Sequence, residues 1–153
     1  MSNAFVDLGI EKGDRVGLML PNCPQFVISY WALLATGAIV VNLNPMYTPD
    51  ELTFVFNLTG LTGLITFDMV LPNVRIVLKT VDVPLVIVTR LTDFINGAGV
   101  STKEDLGLDE EWHHFSELLE NSTNTIRPRI PISSEDPALI QLTGGTTGTP
   151  KGA

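Results

Sequence analysis

The chain has 153 residues, of which 44% are hydrophobic and 17% charged, and this composition excludes intrinsic disorder, which needs low apolarity and high net charge. Seventeen acidic and nine basic residues give a net charge of -8, opposite in sign to that of proteins that bind nucleic acid or anionic membranes. The single cysteine, Cys23, has no partner for an internal disulfide, which favours a reducing, cytoplasmic location.

Neither a signal peptide nor a membrane-spanning helix is expected. Residues 1–7 lack the basic region and the long apolar run of a signal peptide. Residues 26–41 form the most apolar run, but it is shorter than the roughly 20 residues that a transmembrane helix needs. A buried helix, a glycine stop and a buried strand explain this run better.

The first elements are a strand over residues 16–20 and a helix over residues 24–36. Pro24 suits the first turn of that helix, and Gly37 ends it. The helix is apolar nearly all round, as is typical of a helix packed on several sides. We therefore expect Tyr30 and Trp31 to fill the core.

The alternation of strands and helices continues to residue 88. Thr48-Pro49-Asp50-Glu51 is typical of a helix start, because it supplies a capping hydroxyl, a first-turn proline and acids at the positive end of the helix dipole. Further strands are predicted over 38–41, 64–67 and 85–88, and another helix presents Leu71, Val74, Leu78 and Val81 on one face. Continuous apolar strands separated by helices predict an α/β fold, with a mostly parallel sheet covered by helices on both faces.

The character of the chain changes between residues 91 and 134, which we interpret as a surface excursion followed by a linker. Seven acidic residues lie between Glu104 and Glu120, and the spacing of these acids does not match a calcium loop. One short helix is predicted near residues 112–119. His113 and His114 lie within it and are expected to be a solvated surface pair, because adjacent histidines point apart on a helix.

A loop rich in glycine and threonine follows the last strand, which is predicted over residues 138–142. Glycines let backbone amides surround an anion, hydroxyls donate further hydrogen bonds, and a lysine adds positive charge, so the loop is predicted to bind polyphosphate. The candidate binding residues are Thr143, Gly144, Gly145, Thr146, Thr147, Gly148, Thr149 and Lys151. The alternative is a flexible loop with no ligand.

This loop is not the P-loop of nucleoside triphosphatases. That motif needs a Ser or Thr after its lysine and a helix at the same point. Here Lys151 follows a proline and precedes a glycine, so both features are missing.

Residues 143–152 resemble the phosphate loop of the AMP-binding, adenylate-forming enzymes, T-[SG]-G-T-T-G-x-P-K-G, throughout. Glycine at position 144 is similar to the version in many fatty acyl-CoA synthetases. The resemblance extends over nearly the whole chain, through residues 9–16, Leu20-Pro21-Asn22, residues 37–41, Asn44-Pro45 and Glu51-Leu52.

The resemblance implies a two-step ligase reaction. A medium- or long-chain fatty acid attacks the α-phosphorus of ATP and releases pyrophosphate, and the acyl group then passes to coenzyme A. Thr143, Thr146 and Thr147 would donate hydroxyl hydrogen bonds to the β- and γ-phosphates. Three glycines, at 144, 145 and 148, would admit backbone amides, and Lys151 would neutralise charge on the departing pyrophosphate together with Mg2+.

In this family the acyl pocket, the adenine and ribose contacts, the magnesium-binding Glu and the catalytic Lys lie downstream of the loop. We therefore interpret residues 1–153 as part of an adenylating domain, truncated at both ends and inactive alone, with no catalytic residue, no metal ligand and no tightly bound cofactor of its own. Exposed apolar surface should make the chain a homo-oligomer. Peripheral membrane association of the intact enzyme stays open. The alternative is a non-catalytic α/β module that binds phosphate or a partner.

Overall fold

A computed structural model describes residues 1–95, 99–144 and 150–152 of the chain. Within these residues, seven strands form one sheet: β1 Arg15–Leu18, β2 Ile39–Asn42, β3 Gly63–Phe67, β4 Leu85–Thr89, β5 His113–His114, β6 Leu139–Gly144 and β7 Pro150–Gly152. The described part of the chain also contains five α-helices: α1 Ser2–Asp7, α2 Pro24–Thr36, α3 Pro49–Thr59, α4 Leu71–Val77 and α5 Phe115–Asn121. Short 3-10 helices cover Asp68–Val70 and Leu91–Phe94.

The sheet has the strand order β5-β4-β3-β1-β2-β6-β7. All neighbouring pairs from β5 to β6 are parallel, and β7 alone runs antiparallel to its neighbour β6. The predicted α/β class and the mostly parallel sheet are confirmed.

Two hydrophobic clusters cover the two faces of the sheet. Leu64 and Ile65 are consecutive in β3 and therefore point to opposite faces. Leu64 packs in a cluster with Phe56 of α3 and Val74 of α4, whereas Ile65 packs in a second cluster with Leu33 of α2. Helices α1 and α5 also contribute to the second cluster, through Phe5 and Phe115. Both faces of the sheet are thus covered by helices, as predicted.

The ends of α2 and α3 follow from local chemistry. Gly37 ends α2 with φ of 73°, a left-handed conformation that glycine adopts without steric cost. At the start of α3, the Thr48 hydroxyl accepts a hydrogen bond from the Glu51 amide, and the Glu51 carboxylate accepts one from the Thr48 amide at 2.8 Å. The Glu51 carboxylate accepts hydrogen bonds from the Thr48 amide and also from the Thr48 hydroxyl, and these two bonds, the amide above all, hold the pKa of Glu51 below its ordinary value of 4.5. The predicted helix start at Thr48 is confirmed.

Two expectations about side-chain burial are wrong. His113 and His114 form strand β5 rather than part of a helix, and His114 is buried, with 1% of its surface exposed. Helix α5 begins only at Phe115. Trp31 does not fill the core but projects outward from α2 with 66% of its surface exposed.

Among the described residues, no helix is both long and apolar enough to cross a membrane.

Candidate functional site

The candidate phosphate loop connects the last two strands of the sheet. Thr143 pairs with Lys151 and Gly144 pairs with Pro150, so β6 and β7 form an antiparallel hairpin. The structure thereby brings the backbones of the predicted binding residues Thr143, Gly144 and Lys151 together. The other five predicted residues, Gly145, Thr146, Thr147, Gly148 and Thr149, lie outside the described residues.

The parallel strands place the start of this loop at the carboxyl edge of the sheet, where ligands bind in α/β folds. β6 is parallel to β2, and β2 is parallel to β1, so the carboxyl ends of all three strands lie at the same edge. The helix that follows β1 packs on one face of the sheet, and the helix that follows β2 packs on the other. Open α/β sheets bind ligands outside the carboxyl ends of strands where the connections diverge in this way.

A cavity of about 690 Å³ lies at this edge. Leu142, the residue before Thr143, forms part of its wall. Among the described residues, the rest of the lining comes from the segments that follow β1 and β2 and from β6, and it contains apolar and carboxamide side chains but no charged one: Leu20, Pro21, Asn22, Phe26, Asn42, Leu43, Asn44, Pro45, Tyr47 and Gln141. The cavity offers room for an uncharged group of a ligand beside the end of β6, where the candidate phosphate loop begins.

Hydrogen bonds order the polar side of this cavity. The Asn42 side-chain amide donates to the side-chain oxygen of Gln141 at 2.9 Å, and the Gln141 amide donates to the Leu142 carbonyl at 3.3 Å. The Asn44 side-chain oxygen accepts a hydrogen bond from the Met46 backbone amide at 2.9 Å. The Asn42–Gln141 pair therefore braces β6 against β2 immediately before the candidate phosphate loop.

The sequence pattern does not single out these carboxamides, because Asn22 and Asn44 stand there only within segments that resemble the adenylate-forming enzymes. The signal that could have found them is their position. Polar residues that directly follow parallel strands lie at the edge where ligands bind in α/β folds.

Gln25, at the start of α2, is a further polar residue at the carboxyl edge, and its side chain is fully buried. Its amide donates to the Arg90 carbonyl at 3.0 Å and to the Thr89 hydroxyl at 3.4 Å. This contact ties the beginning of α2 to the end of β4 and so fixes the helix at the same edge of the sheet.

A buried Ser, His and Asp also meet near the far edge strand, β5. The Ser101 hydroxyl donates to Asp93 at 2.8 Å and lies 3.0 Å from Nε2 of His114. Asp93 lies on that same side of the ring, 3.6 Å from Nε2, and Nδ1 has no hydrogen-bond partner among the described residues. A catalytic triad needs the carboxylate on the opposite ring nitrogen from the serine. The arrangement is therefore structural, and it fastens the segment after β4 to β5.

A second cavity, of about 620 Å³, lies at the amino ends of β4 and β5, the opposite edge from the phosphate loop. Its Arg75 is already paired with Asp109 at 2.7 Å, and the guanidinium lies 4.6 Å from the centre of the Trp112 ring. No group of three or more His, Cys, Asp or Glu residues is placed to hold a metal ion in the described parts of the chain.

Comparison with known proteins connects this geometry to one family. A sequence model of the family described as AMP-binding enzyme matches residues 1–153. The chain is 36% identical to a long-chain-fatty-acid–CoA ligase of Bacillus subtilis, over 94% of the chain and 28% of that protein. It is 31% identical to a crotonobetaine/carnitine–CoA ligase of Salmonella agona, over 99% of the chain and 27% of that protein.

Solved structures give the same result. A long-chain-fatty-acid-CoA ligase from Archaeoglobus fulgidus superposes with a TM-score of 0.76 and 28% identity, over 99% of this chain and 26% of that one. MbtA from Mycobacterium smegmatis also has a TM-score of 0.76 and 28% identity, over 99% of this chain and 25% of that one. The chain thus spans about 28% of the length of the curated ligases that it matches.

Proposed function

Because the chain belongs to the AMP-binding enzyme family, we propose that it forms the N-terminal part of the adenylating domain of an ATP-dependent fatty acid–CoA ligase. In this reaction a carboxylate oxygen attacks the α-phosphorus of ATP, and the bond from that phosphorus to pyrophosphate breaks. The acyl group of the adenylate is then transferred to the thiol of coenzyme A, and AMP leaves. Long-chain fatty acids are the proposed substrates, since the similar ligases of Bacillus subtilis and Salmonella typhimurium carry that name.

The observation that carries this proposal is the position of the β6–β7 hairpin. β6 ends and β7 begins at the carboxyl edge of the sheet, beside a cavity whose described lining residues carry no charge. Thr143, Thr146 and Thr147 are proposed to donate hydroxyls to the phosphates, and Lys151 to supply positive charge. Gly144, Gly145 and Gly148 would let the backbone approach the phosphates closely, and Thr149 belongs to the same candidate loop.

Several partners of the reaction are expected to bind elsewhere in the enzyme. The chain corresponds to about 28% of its relatives, so we propose that the chain alone does not adenylate a fatty acid. We propose that Mg2+, which would neutralise phosphate charge, takes its ligands from outside this segment, and that coenzyme A also binds outside it.

The single cysteine supports a cytoplasmic location, and exposed apolar surface supports self-association of the chain.

Pyrophosphate binding tests the role of the loop. Pyrophosphate is titrated into the chain by calorimetry, and Lys151→Ala is compared with Lys79→Ala, which removes a lysine near the opposite edge of the sheet. We expect Lys151→Ala to weaken binding at least tenfold, since it removes a charge-assisted contact, and Lys79→Ala to leave it unchanged. Equal effects of the two variants would contradict the assignment of the loop.

Release of pyrophosphate from ATP in the presence of palmitate tests whether the chain needs the rest of the enzyme for activity. The chain alone should show none, and measurable turnover would contradict the proposal. In a ligase that contains this segment, Lys151→Ala should lower kcat/KM at least tenfold through lost stabilisation of the leaving pyrophosphate. If the chain binds pyrophosphate but the longer protein that contains it releases none from ATP, the results would instead favour a non-catalytic phosphate-binding module.

A further inference from the structure

Strand β6 is longer than its pairing with β2. It covers Leu139–Gly144, but its last residue paired with β2 is Gln141, which lies opposite Asn42. From Leu142 to Gly144, the strand partner that the structure describes is β7, in the antiparallel hairpin. The candidate phosphate loop is therefore carried by a two-stranded ribbon, formed by residues 142–144 and 150–152, that extends past the last pair between β2 and β6.

The ribbon is held on both faces at the point where it leaves the sheet. Gln141 and Leu142 are consecutive in β6, so their side chains point to opposite faces. Leu142 is 7% exposed and packs in the cluster that contains Phe56 and Val74. On the other face, the side-chain amide of Asn42 donates to the side-chain oxygen of Gln141 at 2.9 Å. Apolar packing thus fixes one face of β6 at this point, and a pair of carboxamides fixes the other.

The carboxamide pair is also connected to the ribbon itself. The Gln141 side-chain amide donates onward to the Leu142 carbonyl at 3.3 Å, and Leu142 is paired with Gly152 of β7. One line of contacts therefore runs from Asn42 through Gln141 to the first residue pair of the ribbon. Because two strands alone are only marginally stable in water, the direction of the ribbon depends on the contacts at its base.

Phosphate binding should be sensitive to that direction. Backbone amides and a lysine hold an anion only when they converge on it, and a misplacement of about 1 Å can lower a rate about a hundredfold. Thr143 and Lys151 form the next pair of the ribbon, so a tilt at Gln141 moves both strands that carry the candidate loop. A cross-strand pair without this role would contribute to stability alone.

We infer that Asn42 and Gln141 are positioning residues, which set the direction in which the ribbon leaves the sheet and thereby the affinity of the loop for polyphosphate. The inference rests on the proposed function, because it requires that the loop binds phosphate. Asn42 acts on the phosphates only through Gln141 and the backbone of the ribbon.

The experiment is calorimetric titration of the chain with pyrophosphate, well below the unfolding temperature. Asn42→Ala and Gln141→Ala should each weaken binding about threefold to tenfold, and the double variant should bind no more weakly, because both changes break one line of contacts. Asn57→Ala, which removes an exposed asparagine on α3, should have no effect. Asp93→Ala should lower stability without weakening binding, since Asp93 contacts β5, at the other end of the strand order.

Kinetics in a ligase that contains this segment separate positioning from general stability. Asn42→Ala should raise the KM for ATP about threefold to tenfold and leave the KM for palmitate unchanged. A mere loss of folded enzyme would lower kcat per enzyme added without raising either KM. An unchanged KM for ATP would therefore overturn the inference.

The outcome for this inference is distinguishable from that for the proposed function. If Lys151→Ala weakens pyrophosphate binding but Asn42→Ala does not, the inference is wrong and the proposed role of the loop stands. Asp93→Ala that weakens binding as much as Asn42→Ala would also overturn the inference, because the pair would then act only through stability. A chain that binds no pyrophosphate would contradict both.

Discussion

The side-chain amide of Asn42 donates a 2.9 Å hydrogen bond to the side-chain oxygen of Gln141, although 99 positions separate the two residues in the sequence. Both residues occupy paired positions of the neighbouring strands β2 and β6. Gln141 stands two residues before Thr143, where the candidate phosphate loop begins. This hydrogen bond therefore links the loop-bearing strand to the strand that holds it in the sheet.

A double-mutant cycle should detect this link. Asn42→Ala and Gln141→Ala together should destabilise the chain by less than the sum of their separate effects, with a coupling free energy of about 0.5 to 1 kcal/mol, typical of a cross-strand pair. Urea unfolding provides the measurement. As the control, Asn57→Ala on α3 combined with Gln141→Ala should be additive, and additivity of the Asn42 and Gln141 variants would show that the hydrogen bond contributes nothing to stability.

Asp93 should be important for stability although it lies far from the phosphate loop. Its two carboxylate oxygens accept hydrogen bonds from the Ser101 amide and hydroxyl at 2.9 and 2.8 Å. Asp93→Ala leaves the buried Ser101 amide without a partner and leaves the Ser101 hydroxyl only His114 to bond, so the free energy of unfolding should fall by about 2 kcal/mol. Asp82→Ala removes an exposed carboxylate and should change it by less than about 0.5 kcal/mol. Similar urea midpoints for the two variants would contradict this role.

Gly17, in the central strand β1, leaves no room for a side chain. An added Cβ would lie 2.8 Å from Cδ1 of Leu43 and 2.9 Å from Cδ1 of Leu61, closer than packed carbon atoms approach. Gly17→Ala should therefore lower the free energy of unfolding by about 1 to 2 kcal/mol through overpacking.

Gly63, in the adjacent strand β3, is the matched control for this prediction. A Cβ there would meet its nearest neighbour, Cγ1 of Val16, at 3.5 Å, which is an ordinary contact. Gly63→Ala should thus be tolerated or slightly stabilising, since it reduces the freedom of the unfolded chain. Thermal unfolding that ranked Gly63→Ala as the more harmful of the two would show that the packing around β1 is looser than the distances indicate.

His113 should make stability depend on pH near neutrality. Partial burial, and to a smaller extent the nearby Lys103 charge, lowers the pKa of His113 below its ordinary value of 6.5. The unfolded chain then binds the proton more readily than the folded chain, so the contribution of His113 is fully present above pH 6.5 and declines as the pH falls from there to the folded pKa.

His113→Gln isolates this contribution, because the other titrating groups stay in both proteins. The difference in free energy of unfolding between the original chain and the variant should decrease as the pH falls from about 7.5 to about 5. A difference that stays constant over this range, or that grows as the pH falls, would contradict the lowered pKa.

The features that sequence analysis predicts well are those with a local cause. The capping residues Thr48 and Glu51, the first-turn Pro24 and the stop at Gly37 act within a few positions, and the structure confirms each. The apolar runs of β3 and β4 likewise reveal buried parallel strands without any knowledge of their neighbours. The α/β class follows from these local signals.

The features that sequence analysis misses depend on distant contacts. His114 belongs to a strand of two residues, too short for any periodic pattern, and its burial comes from pairing with Val88 and from Asp93. Trp31 has the same apolar neighbours in sequence as a core residue, and only the packing of α2 on one face of the sheet leaves it exposed. Asn42 and Gln141 meet because β2 and β6 pair, a contact that no local pattern contains.

The strand order also determines which strands can pair first while the polypeptide is being synthesised. β1 to β5 lie within the first 114 residues and supply most of both clusters together with their helices, whereas β6, which adds Leu142, joins the edge of β2 about 100 residues after β2 has been made. Closing so long a segment costs more chain entropy than any earlier strand pairing in the sheet. The nascent chain can therefore build most of its interior first, and the segment proposed to bind phosphate is added to a sheet that already exists.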